Sequence, residues 1–194
     1  KPSGPAHFGH YQTANTLHDL QEAGIEVYVP VADVEAVNDG YEQDHIDFTA
    51  ADNLIDWGAA GLNLDQAHVY LQSEEDRIDQ GREQVEPHLD LATAIDAYGM
   101  EKLRNNPLFI NVGLNQIADM TLPQHEDFGK DYSFMVSGSD QAGHMQAATV
   151  LVNKALEADA DLENDFETYL ESGPGGLYCP EIKGLIKAED SEVD

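Results

Sequence analysis

Three short, largely apolar runs, separated by helical periodicity of ten residues or more, constrain this chain more tightly than any other feature. Residues 25–32 (IEVYVPVA), 67–71 (AHVYL) and 132–136 (YSFMV) have the composition of buried strands. Residues 9–23 place Ala14, Leu17 and Leu20 on one helical face before Gly24, and a second helix over 44–60 stops at Gly61. Ser73, followed by Glu74, Glu75 and Asp76, reads as a helix N-terminus. Pro87 divides two further helical stretches, and Pro107 opens another that carries Leu114, Ile117 and Met120. A last long helix covers about 141–157, and the region from Gly173 onward is loop-rich with at most one short strand. Strands alternating with long helices pair in parallel through right-handed crossovers. The expected fold class is therefore α/β, a Rossmann-like parallel sheet with a helical insertion at about 73–122. Pro30, which has no N–H for a ladder, argues against a central place for the first strand.

The length of 194 residues and a hydrophobic share of 41% suffice for one core, so one domain over 1–194 is expected. No apolar run approaches the roughly 18–20 residues of a membrane span, and no charged-then-apolar leader opens the chain. The expectation is a cytoplasmic protein without a membrane partner. Cys179 is the only cysteine, which excludes an intramolecular disulfide framework and a zinc ribbon.

Charge excludes more. Against 9 Lys and Arg stand 38 Asp and Glu, a formal net charge of −29. The acids are spread through helical segments with ordinary apolar spacing, so they read as solvated faces of a folded protein rather than as a disordered tail. Such self-repulsion destabilises a compact state in dilute buffer. In molar salt the screening length falls to about 3 Å and most of it disappears. The composition points to a halophilic, salt-filled cytoplasm, with an acidic protein of an ordinary cell as the alternative. It argues against unaided nucleic-acid binding at low salt and against DNA as a partner, since no basic stripe faces phosphates.

Ligands of an open parallel sheet sit beyond the carboxyl ends of its strands. The loop Pro2-Ser3-Gly4-Pro5-Ala6-His7-Phe8-Gly9-His10 runs into the first helix. Gly9 permits close backbone approach, and a helix N-terminus offers N–H groups and partial positive charge to a phosphate. His7 and His10, three apart, face one side of the first turn and are placed to donate hydrogen bonds as charge builds on phosphate oxygens. A pair of surface histidines is the plain alternative.

PSGPAHFGH resembles the His-Ile-Gly-His signature of class I aminoacyl-tRNA synthetases, with Phe8 in the isoleucine position. Its Pro-Ser-Gly lead is similar to that of tryptophanyl and archaeal tyrosyl enzymes. The likeness continues in order through 20–24 (LQEAG), 31–36 (VADVEA), 67–73, 116–119, 122–124 (LPQ) and Ser139-Asp140-Gln141. The resemblance implies ATP-dependent amino-acid activation with Mg2+ helping the leaving group, transfer to tRNA, and a homodimer joined through the insertion helices. It implies ATP contacts at Ser3, Gly4, His7, Gly9, His10, Gly138 and Asp140, and no metal ligands on the protein. Amino-acid contacts fall to Glu35, Gln116, Asp119 and Gln141.

Glu35 is similar to the glutamate with which archaeal and eukaryotic tryptophanyl enzymes accept the indole N–H, where the archaeal tyrosyl pattern has histidine. Asp119 resembles the tyrosyl residue that binds the phenol hydroxyl, and equally a bacterial tryptophanyl aspartate. A buried carboxylate facing the substrate's single polar side-chain atom discriminates well, because an analogue lacking that atom strands the charge. The resemblance favours tryptophan over tyrosine. Both acids are also readable as ordinary members of an acidic chain.

Two departures stand out. The Lys-Met-Ser-Lys-Ser loop of the family is replaced by residues 182–191 (IKGLIKAEDS), with Lys187 as the remnant of its catalytic lysine and Ser191 of its serine. No anticodon-binding domain follows, and the first Rossmann strand does not precede the signature. The expectation is a partial catalytic domain, with a truncated, non-catalytic nucleotide- and amino-acid-binding paralogue as the alternative. Trp57, at helical spacing from Leu54, reads as core, and His125 and His144 as solvated residues rather than ligands. Cys179 reads as a small buried or loop residue.

Overall fold

Residues 1–106, 109–130, 133–136, 141–158, 165–170 and 177–183 are described by a computed structural model, and the chain falls into two units, Lys1–Asp76 and Arg77–Asp194. In the first unit, α1 (Phe8–Glu22) leads into β1 (Tyr28–Val31), and α2 (Asp33–Asn38) and α3 (Gln43–Ala59) then cross to β2 (His68–Leu71). The two strands pair in parallel, in register from Tyr28↔His68 to Val31↔Leu71. Val27, Val29 and Leu62 form the buried centre, with Leu17 of α1 and Leu54 and Trp57 of α3 packed on it. The apolar spacing of both helices thus faces the sheet, as expected of Trp57 and Leu54. Gly24 (φ +83°) and Gly61 (φ +108°) end α1 and α3 in the left-handed region that other residues avoid. The Gln21 side chain donates to the Asn63 carbonyl and accepts its N–H, both at 2.9 Å, and so anchors α1 to the turn after α3.

The second unit is mostly helical. It contains α4 (Asp76–Val85), α5 (Leu91–Tyr98), α6 (Met100–Asn105), α7 (Phe109–Thr121) and α8 (Ala142–Ala158). Pro87 sits in a 3-10 turn, Glu86–His88, and separates α4 from α5 as its missing N–H requires. Leu114, Ile117 and Met120 of α7 bury against Met145 and Leu151 of α8, with Val85 at the end of α4. Asp90 caps α5 by accepting the Thr93 N–H at 2.8 Å, and Lys154 of α8 donates to the same carboxylate at 2.8 Å. Those bonds, that from Lys154 first, hold the Asp90 carboxyl well below the usual carboxylate range.

Two expectations change here. The strand expected over 132–136 is β3 (Met135–Val136), and it pairs antiparallel with β5 (Leu177–Lys183) instead of extending the parallel sheet. On its other side β5 pairs antiparallel with β4 (Asp165–Leu170), giving the order β3-β5-β4. β3 is only two residues long, and the chain returns to it through β4 and β5, which suits antiparallel pairing. His144 is buried at 5% exposure rather than solvated, its ring 5.1 Å from Tyr98 and 5.4 Å from Phe109 between centroids. No described helix is long and apolar enough to cross a membrane.

Candidate active site

The start of α1 is built by two histidines. His7 is extended (φ −127°, ψ 177°), and its Nδ1 accepts the Gly9 N–H at 3.1 Å. His10, one turn on, answers with its own Nδ1, which accepts the His7 N–H at 3.2 Å. The rings lie 4.0 Å apart between centroids, tilted by 33°. Because both Nδ1 atoms accept, each neutral imidazole carries its proton on Nε2 and keeps that atom as a donor. Burial, followed by the neighbouring His7, holds the His10 imidazole below its usual value of 6.5. His10 therefore presents a neutral Nε2–H donor near neutral pH.

Gly9 has a local reason besides any ligand: a Cβ there would lie 3.1 Å from His7 Cε1 and 3.2 Å from its Nδ1. The expectation of free amides at this helix start is corrected in part, since two of them are taken by imidazoles. Upstream, Ser3 lies in the turn closed by its N–H to the Lys1 carbonyl at 3.0 Å. The Gly4 carbonyl accepts from Asn53 Nδ2 of α3 at 3.2 Å, which ties the loop to the unit's core. His10 then lines a cavity of about 70 Å³ with Pro2, Pro30, Ala32, Asn53 and Trp57, at the carboxyl end of β1.

Glu35 lies on α2, beyond the end of β1, and its Oε1 pairs with Lys1 Nζ at 2.9 Å, while Asp39 holds the same ammonium. Lys1 is thus a site neighbour that the sequence reading passed over. In the second unit Gln116 and Asp119 are half-buried, three apart on α7, and Gln116 Oε1 is buried without a hydrogen-bond partner among the described residues. Gln141 immediately precedes α8. Gly138, Asp140 and Lys187 lie outside the described residues, as does Ser139.

Two features escaped the sequence reading. Asp33, the first residue of α2, is buried at 3% exposure and accepts the Ser73 N–H at 3.2 Å and the Ser73 hydroxyl. Its position just after an apolar strand was the available signal. A cavity of about 590 Å³ in the second unit, lined by Gln80, Val85, Thr121, Gln124, His125 and Val152 among others, includes none of the candidate site residues, and no local motif announces it. Among the described residues no three His, Cys, Asp or Glu side chains converge as a metal set.

A histidine-capped helix start beside the carboxyl end of a parallel strand defines an open α/β fold of the kind that binds ligands at strand ends. Residues 1–170 match the family model described as tRNA synthetases class I (W and Y). The chain belongs to that family. It is 33% identical over 202 residues to a tyrosine–tRNA ligase of Halobacterium salinarum, covering 100% of this chain and 59% of that relative. It is 26% identical over 179 residues to a tryptophan–tRNA ligase of Aeropyrum pernix, covering 90% of this chain and 46% of that relative. The crystal structure of tryptophanyl-tRNA synthetase from Aeropyrum pernix K1 superposes with a TM-score of 0.68 at 23% identity, over 83% of this chain and 43% of that one. That likeness concerns the fold. The chain thus spans about three fifths or less of the length of these relatives.

Proposed function

We propose that this chain is the catalytic part of a synthetase that activates tryptophan with ATP and passes it to tRNA. The observation that carries the proposal is the signature loop PSGPAHFGH ending in the reciprocal His7–His10 cap, with His10 at the end of β1. In the first step an oxygen of the amino-acid carboxylate bonds to the α-phosphorus of ATP. The bond from that phosphorus to the bridging oxygen breaks, and pyrophosphate leaves with the electron pair. A tRNA hydroxyl then takes the acyl group and AMP departs. Such chemistry rests on positioning and on donors aimed where charge develops. The Nε2–H groups of His7 and His10 supply those donors, and Mg2+ held by the phosphates would supply further charge stabilisation of the leaving pyrophosphate. Gly138, Asp140 and Lys187 complete the nucleotide side in this reading, and Gln116, Asp119 and Gln141 the amino-acid side.

Glu35 supports tryptophan, as an acid where the archaeal tyrosyl pattern has histidine. Tyrosine is the second reading, favoured by the 33% identity to the Halobacterium ligase along the whole chain and by Asp119. The reading also makes the protein cytoplasmic, tRNA-bound in its working cycle and dimeric through its insertion helices. Pyrophosphate exchange in molar salt tests it: tryptophan-dependent exchange is expected. Exchange with tyrosine alone overturns the specificity. Binding of ATP without exchange for either amino acid leaves the non-catalytic paralogue.

A further inference from the structure

We propose that Asp33 is a positioning residue for amino-acid recognition, its carboxylate tying the first turn of α2 to Ser73 beyond β2 and so fixing where α2 presents Glu35. This rests on the reading that Glu35 contacts the amino acid.

The argument begins with burial. Of 38 Asp and Glu in the chain, Asp33 is the only one buried among the described residues. A buried carboxylate is costly unless its hydrogen bonds are complete, and apolar residues of similar shape often serve stability as well. Both of its bonds come from one residue, Ser73. The last backbone pair is Val31↔Leu71; β1 then gives way to α2 at Asp33, and β2 to the 3-10 turn Gln72–Glu74 that holds Ser73. The Asp33 carboxylate accepts the Ser73 N–H and hydroxyl across that point, joining the first turn of α2 to the turn after β2.

Those two bonds anchor α2. That helix has six residues, and its N-cap, Ala32, makes no side-chain capping bond. So short a helix does not hold its own orientation. Asp33 is its first residue and Glu35 its third, so the angle of the first turn sets the direction of the Glu35 carboxylate.

The test is steady-state pyrophosphate exchange by the full chain in molar salt, with whichever of tryptophan or tyrosine supports turnover. Asp33→Asn and Ser73→Ala are expected to raise KM for the amino acid by about tenfold while kcat and KM for ATP stay within about twofold. Ser73→Thr, which keeps the hydroxyl, is expected to stay near the parent. Should Asp33→Asn fail to fold, Ser73→Ala alone carries the comparison, since it keeps the backbone bond. An unchanged amino-acid KM in folded variants overturns the assignment, as does a parallel change in the ATP KM and kcat. A parent protein with no exchange overturns the proposed function itself, and this assignment with it.

Discussion

Two imidazoles cap one another at the first turn of α1, and their protonation state decides whether they can. A cap needs an acceptor, and a protonated ring has none. His10 is held below 6.5 in the folded chain, by burial first and then by His7. Unfolded chain therefore takes its proton at higher pH than folded chain does. Stability from this group is complete above about 6.5 and is lost as pH falls through the lower folded value, because there the unfolded state binds more protons. Melting temperature in molar salt is expected to drop between pH 7 and pH 5, and His10→Ala is expected to flatten that slope. An identical slope in the variant removes His10 from the effect. The spacing of the two histidines made their shared side legible in the sequence. The cap was not, since histidine falls outside the Ser, Thr, Asp and Asn set that announces one.

At the scale of elements, α5 and α8 approach so closely that a Cβ on Gly143 would lie 2.5 Å from the Ala97 carbonyl oxygen. Backbone cannot swing aside as a side-chain tip can, so the helices must separate. Gly143→Ala is expected to cost about 1–3 kcal/mol by urea melting, the range for overpacked cores, despite alanine's better helix propensity. A stabilised variant would show that the helices slide apart freely. The helices themselves were readable: Gly24, Gly61 and Pro87 punctuate the chain through backbone chemistry that tertiary contacts rarely overrule. Glu35 lies on α2, past β1, and its pairing with Lys1 joins residues 34 apart, which no local pattern encodes. The same holds for the antiparallel β3-β5-β4 order, since a two-residue strand gives no periodicity from which to choose a partner.

Across the whole molecule the charge is uneven, and that unevenness predicts where dilute buffer acts first. Lys1 is the only Lys or Arg in the first unit, so eight of the chain's nine basic residues lie in the second. Its ammonium is already shared by Glu35 and Asp39, and no other Lys or Arg of that unit offsets the remaining acids. The second unit has Arg77 against Asp127 at 2.8 Å and Lys154 against Asp90 at 2.8 Å. Exposed pairs of this kind add little each, yet they thin the local excess of negative charge. Lowering salt from molar to millimolar lengthens the screening distance from about 3 Å to more than 30 Å, so repulsion then acts across an entire unit. Amide hydrogen exchange followed through that dilution is expected to accelerate in β1 and α3 before α7 and α8. Circular dichroism is expected to lose helix signal over the same range. Equal protection in both units at every salt concentration would mean that local charge compensation does not set their relative stability. A spectrum unchanged from molar to millimolar salt would mean that the apolar centre around Val27, Val29 and Leu62 outweighs the repulsion unaided.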